Sequence, residues 1–148
     1  MRLLVGDVLA AAVLPAPGRL IDVGSGNGSP GLVFALVRDD LEVTLLEPRV
    51  RRWAFLREAA REAGAARVQV VRARHDTYGG PGAATVVLRA LALPLGALDG
   101  LVEEPEGRIL VLGGRPVAAP PFVLEREVAG VPGGARLFAR AAIVSRET

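Results

Sequence analysis

The chain contains no cysteine. Disulfides, Cys-ligated zinc, iron–sulfur clusters and a cysteine nucleophile are therefore excluded. A single histidine, His75, argues against a histidine-based metal centre. Lysine is absent too, so all 18 basic residues are arginine. Asn27 and Gln69 are the only carboxamides. This skew reads as a GC-rich coding bias. The pI near 10.3 reflects the high pKa of arginine, because the net charge is only +2. Composition alone does not demand a nucleic-acid partner. No apolar run approaches the roughly 18 residues that span a bilayer. Met1 to Pro15 does not read as a secretory signal, since Asp7 interrupts its short apolar stretch.

What remains is a 148-residue chain, 51% apolar, with a mean hydropathy of +0.37. That excludes global disorder and suits one domain over residues 1–148, with a short helical segment at 1–19 and a core at 20–148. Apolar spacing predicts a helix from Arg2 to Leu14, ended by Pro15 and Pro17. Leu20 to Val23 predicts a first strand. Ser29-Pro30 is a helix-start signal before Leu32 to Val37. Strands are expected at Glu42–Leu46, Arg67–Val71, Thr85–Leu88 and Arg108–Leu112, and helices at Arg49–Ala63 and Leu95–Val102. Residues 75–84 are glycine-rich and read as a loop. Phe122–Val128 and Arg136–Val144 read as an antiparallel pair turning at Val131-Pro132-Gly133-Gly134. The class is α/β: a Rossmann-like, mostly parallel sheet with a C-terminal antiparallel pair. Such sheets bind ligands outside the carboxyl ends of their strands.

The loop after the first strand carries the strongest signal. Residues 20–31 read Leu-Ile-Asp-Val-Gly-Ser-Gly-Asn-Gly-Ser-Pro-Gly. Gly26, Gly28 and Gly31 give a formal G-x-G-x-x-G and hence a nucleotide-cofactor oxidoreductase reading. That register starts two residues late, and Pro30 removes an N–H from the turn meant to cradle a pyrophosphate. Gly24, Gly26 and Gly28 start directly after the strand and suit a phosphate-free ligand lying against bare backbone. Asp22 adds a negative charge before the turn. Glu47 ends the second strand, where a carboxylate can accept from both ribose hydroxyls. S-adenosylmethionine joins a sulfonium, an ammonium and a ribose without phosphate. A plain strand-to-helix turn is the bland alternative.

The segment Asp22 to Gly31 resembles the cofactor loop of the glucose-inhibited division protein B family, and its Pro-Gly is a feature of that family. Leu45-Leu46-Glu47 with Arg51-Arg52-Trp53-Ala54-Phe55-Leu56 is similar to the family's second strand and basic-aromatic helix. Val68–Asp76, Val86–Ala90 and Gly107–Leu110 resemble its next three strands, so the likeness covers about residues 5–145. It implies a class I S-adenosylmethionine-dependent methyltransferase of the cytoplasm, acting on N7 of a guanine in small-subunit ribosomal RNA. The cofactor-binding residues it implies are Asp22, Gly24, Ser25, Gly26, Asn27, Gly28 and Glu47, with His75 and Asp76 near the adenine. Arg89, at the end of the fourth strand, would position the acceptor or pair with a rim carboxylate. N7 carries a lone pair and no proton, so no general base is needed.

The family's pattern is trimmed on the acceptor side. Its longer segment before the first strand is reduced to about 19 residues, Leu88 stands in place of its Ser, and Gly113-Gly114 in place of its Lys-Gly. A non-catalytic binding or assembly module with the same fold is therefore the second reading. No membrane contact is expected, and a protein partner or self-association is not indicated. Arg49, Arg51, Arg52, Arg57 and Arg61 crowd one helix and could follow an RNA backbone. For most of them the favoured reading is a solvated face on which Glu58 and Glu62 interleave and pair. Trp53, Phe55 and Leu56 read as core rather than as base-stacking platforms. Tyr78, in the glycine-rich loop, is the aromatic left to stack on a base.

Overall fold

The computed structural model describes residues 2–24, 30–65, 67–89, 91–114 and 116–142, without the side chains of 2–5 and 7. Seven strands form one sheet: β1 (Gly18–Val23), β2 (Leu41–Leu46), β3 (Gln69–Val71), β4 (Thr85–Arg89), β5 (Arg108–Leu112), β6 (Phe122–Val128) and β7 (Ala135–Arg140). The helices are α1 (Arg2–Ala11), α2 (Pro30–Val37) and α3 (Val50–Glu62), with a 3-10 helix at Leu95–Leu101. Strand order is β3-β2-β1-β4-β5-β7-β6. β1 to β5 are parallel, and β7 runs antiparallel between β5 and β6. The chain leaves β1 toward β2 on one side and returns to β4 on the other, so β1 and β4 flank the switch point.

Consecutive residues of a strand point to opposite faces, which is why the central strands carry apolar residues on both faces. Leu20, Val43, Leu45, Val87 and Leu110 pack with Val8 and Ala11 of α1, Phe34 of α2 and Leu56 of α3. Ile21, Val23, Val86, Leu88, Ile109 and Val111 pack on the other face with Leu95, Leu98 and Leu101 of the 3-10 helix. The edge strand β6 buries Phe122 and exposes residues 123–127. Its charges Glu125, Arg126 and Glu127 blunt that edge against further pairing. Arg136 on the adjacent β7 and Arg108 on β5 beyond it hold Glu127 and Glu125.

Several expectations need correction. The first helix stops at Ala11, and residues 12–13 form a turn ahead of the two prolines. The segment at 95 is a 3-10 helix, Leu95–Leu101, with Gly96 and Gly100 within it. The last strand ends at Arg140, and Ile143–Val144 lie outside the described residues. Phe55 is not core: it is 53% exposed. α3 buries only Leu56 and Ala60, an i,i+4 stripe, and Phe55 sits one residue off it, about 100° around the helix. Tyr78 is not free. It packs against the second apolar cluster, and its ring covers Gly80 so closely that a Cβ there would lie 2.2 Å from the phenol oxygen.

Candidate functional site

The four parallel strands on either side of the switch point end in one cleft of about 330 Å³. Val23 and Gly24 come from β1, Leu46 to Arg49 from β2, Ala73 to His75 from beyond β3, and Leu91 to Leu93 from beyond β4. Arg52, from the first turn of α3, completes the lining. Sheet ladders continue past the strand ends and set this spacing. The Gly24 N–H donates to the Leu46 carbonyl at 3.1 Å, and the Glu47 N–H to the Val71 carbonyl at 3.1 Å. Gly24 adopts φ +69°, a left-handed conformation that favours glycine, so the floor of the cleft there is bare backbone.

Glu47 is the buried acid of the cleft, 3% exposed. Its Oε1 accepts from the Arg49 N–H at 3.1 Å, which ties the carboxylate to the start of α3. A carboxylate offers about four acceptor sites and can accept from several donors at once. Asp22, on β1, is also buried, 1% exposed. Its Oδ2 accepts from the Gly31 N–H in the first turn of α2 at 2.9 Å. A carboxylate at a helix N-terminus is favourably placed against the helix dipole. The approach needs glycine: a Cβ on Gly31 would lie 2.8 Å from Leu45 Cδ2 and 2.9 Å from Asp22 Cβ. Gly31 thus has a packing cause, and Asp22 ties β1 to the first turn of α2. Ser25, Gly26, Asn27 and Gly28, central to the expected site, lie outside the described residues.

His75 lines the cleft, half-buried. Asp76 is not part of the lining; Arg74 Nε stands 3.4 Å from its Oδ1, and both side chains are largely exposed. Arg89 ends β4 opposite Leu112 of β5 and is half-buried, outside the cleft lining. Among the described residues no cluster of His, Cys, Asp and Glu is arranged to hold a metal ion. No helix among them is long and apolar enough to cross a membrane.

The basic helix divides in two. Toward its C-terminus Arg57 stacks over the Trp53 ring at 4.8 Å, and Arg61 pairs with Glu58. The Trp53 indole N–H donates to the Val70 carbonyl at 3.1 Å and fixes α3 to β3. At the N-terminus the side chains of Arg49, Arg51 and Arg52 meet no hydrogen-bond or ion-pair partner among the described residues. No acidic residue occupies the first turn. The self-paired face expected from the sequence holds for the second half only. Charge alternation alone did not show which arginines Glu58 and Glu62 could reach.

Comparison with known proteins places this geometry. The GidB family, rRNA small subunit methyltransferase G, matches residues 2–118. A ribosomal RNA small subunit methyltransferase G from Nocardioides is 44% identical over 121 residues, covering 79% of this chain and 48% of that protein. One from Halorhodospira halophila is 43% identical over 117 residues, covering 76% and 54%. The chain spans about half the length of these relatives. Among solved structures, an RNA methyltransferase from Salinibacter ruber in complex with S-adenosyl-L-homocysteine aligns with a TM-score of 0.73 at 17% identity, covering 99% of this chain and 96% of that one. TrmN from Thermus thermophilus aligns at 0.70 and 20% identity, covering 93% and 48%. The fold is that of the class I methyltransferases.

Proposed function

The chain belongs to the GidB family, rRNA small subunit methyltransferase G, and from that premise we propose that its cleft binds S-adenosylmethionine and serves methyl transfer to small-subunit ribosomal RNA. The observation that carries this reading is the buried carboxylate of Glu47 beside the bare backbone of Gly24 at the switch point. That donor and acceptor set suits a nucleoside without phosphate. Glu47 accepts from the ribose hydroxyls. Gly24, with Ser25, Gly26, Asn27 and Gly28 as the family resemblance implies, binds the amino-acid portion, and the apolar Leu91 and Leu93 with His75 face the base. Asp22 holds the first turn of α2 through Gly31.

When bound, the cofactor supplies an electrophilic methyl carbon on a sulfonium sulfur. The chain's own task is orientation, bringing the acceptor to about 3–3.5 Å from that carbon. A guanine N7 acceptor, as the family resemblance implies, brings a lone pair and no proton. The residues around the cleft therefore need hold no base. Arg89 orients the acceptor from the end of β4 by pairing with guanine O6 and N7 or with a phosphate. A ribosomal RNA acceptor supports a cytoplasmic location for the protein.

Calorimetric titration of the chain with S-adenosylmethionine and S-adenosylhomocysteine, with NAD as comparator, tests the cofactor site. Binding of the first two without NAD is the expected result. Glu47→Ala should weaken it by roughly 1–3 kcal/mol through lost hydrogen bonds to a charged group. Equal affinity for NAD, or none for any ligand, overturns the reading. Methyl incorporation into undermethylated small-subunit RNA separates the enzyme from an assembly module: cofactor binding without transfer would support the latter.

A further inference from the structure

We propose that the exposed N-terminal half of α3 is the surface on which single-stranded acceptor RNA lies beside the cleft: Arg51 and Arg52 take backbone phosphates, and Phe55 stacks on an unpaired flanking base. This deepens the RNA-methyltransferase reading and rests on it. The strongest observation is a set of arginines whose side chains lack direct partners among the described residues. The side chains of Arg49, Arg51 and Arg52 stand unpaired among the described residues at the end of a helix whose dipole disfavours cations, with no acid in the first turn. An anion arriving there finds three guanidinium groups able to bind phosphate bidentately.

The second observation is independent. Phe55 is 53% exposed, although its neighbours Trp53 and Leu56 are drawn inward. It lies four residues after Arg51 and three after Arg52, which on a helix is the same face. Cations interleaved with an aromatic platform are what sequence-tolerant single-strand binding requires. A duplex would offer phosphates but no base face, so Phe55 selects for unpaired RNA. The third observation is continuity. Arg49 and Arg52 also line the cleft, so the patch begins where the cleft ends. The other half of the same helix lacks all of this, because Arg57 and Arg61 are satisfied by Trp53 and Glu58.

Fluorescence anisotropy of the full chain with a labelled single-stranded oligoribonucleotide, over a salt series, tests the proposal. Arg51→Ala should weaken binding and lower the slope of log affinity against log salt by about 0.7, the value of one phosphate contact on a single strand. Phe55→Ala should weaken binding roughly five- to a hundredfold, as expected for a lost stacking platform, without changing the slope. Phe55→Trp should restore it. Arg126→Ala is the control, an exposed arginine on β6 at the far edge of the sheet; it should change neither quantity. An unchanged slope in Arg51→Ala, an unchanged affinity in Phe55→Ala, or an equal loss in Arg126→Ala overturns the proposal. Neither Arg51 nor Phe55 lines the cleft, so both variants should bind S-adenosylmethionine normally. If the cofactor fails to bind while these RNA effects hold, the cleft reading fails and the RNA surface stands.

Discussion

At the amino edge of the sheet, Arg19 lies 3.8 Å from Glu103, and Arg67 donates to the Asp39 carbonyl. Arg38 there grips Asp40 and also the carbonyls of Ala12 and Pro15. At the carboxyl edge, Arg49 and Arg52 line a cleft around buried Glu47 and meet no side-chain partner among the described residues. The residue types are the same, and the arrangements are opposite. At the amino edge arginine spends its donors on the protein itself, tying the link between α1 and β1 to the end of α2. At the carboxyl edge Arg74 is held by Asp76, while the donors of Arg49 and Arg52 have no partner among the described residues. Arginine content therefore says little about this protein; the location of its unspent donors says a great deal.

The sharpest way to break this contrast is at the loop that builds the carboxyl edge. Gly31→Val should have the largest effect. It forces Asp22 and Leu45 away from α2, costs about 1–3 kcal/mol as an overpacked core site, and abolishes cofactor binding by releasing the loop. Urea denaturation and calorimetry read the two effects. Wild-type binding in a folded Gly31→Val chain would mean that the clasp does not set the loop. Glu47→Ala comes next and should act on binding far more than on stability, as a residue held for a ligand does.

The amino edge should behave in the reverse manner. Arg38→Met keeps the apolar stem and loses the bonds to the Ala12 and Pro15 carbonyls, so stability should fall by roughly 1–3 kcal/mol with cofactor affinity intact. A pH series refines this. The hydrogen bond from Arg38 holds the Asp40 carboxyl below its ordinary value of 3.8. A depressed carboxyl stabilises the fold above the unfolded value, and that contribution is lost as pH falls through the folded one. The stability gap between wild type and Arg38→Met should therefore narrow on acidification below pH 3.8; a constant gap would assign the whole effect to the carbonyls. The smallest change is expected at Arg61→Ala. Its partner Glu58 is held below the ordinary carboxylate range by that hydrogen bond, but both groups are in water. Stability and the RNA salt slope should stay within error, in contrast to Arg51→Ala.

Much of the fold was legible because its signals are local. β5 and β6 begin and end where apolar runs and turns predict, and Glu47 falls at a strand end because the strand itself is plain in the sequence. The cleft residues Gly24, Glu47 and His75 were likewise reachable from loop position alone. Asp76 and Tyr78 were not, since a glycine-rich loop hides which side chain turns in: Asp76 turns to Arg74 and Tyr78 to the core. Phe55 misled for another reason. Aromatic content suggests core, but exposure on a helix depends on a rotation fixed by Leu56, Ala60 and the Trp53 bond to β3.

The sequence by itself determined the class of the sheet, the glycine turn, the acid at the end of β2 and the family likeness, because each rests on residues close together in the chain. Only the tertiary structure decided that β7 inserts between β5 and β6, that Asp22 clasps Gly31, and which arginines are satisfied. Those outcomes depend on groups that approach across loops and neighbouring strands, where a difference of one residue in facing exchanges a buried partner for open water.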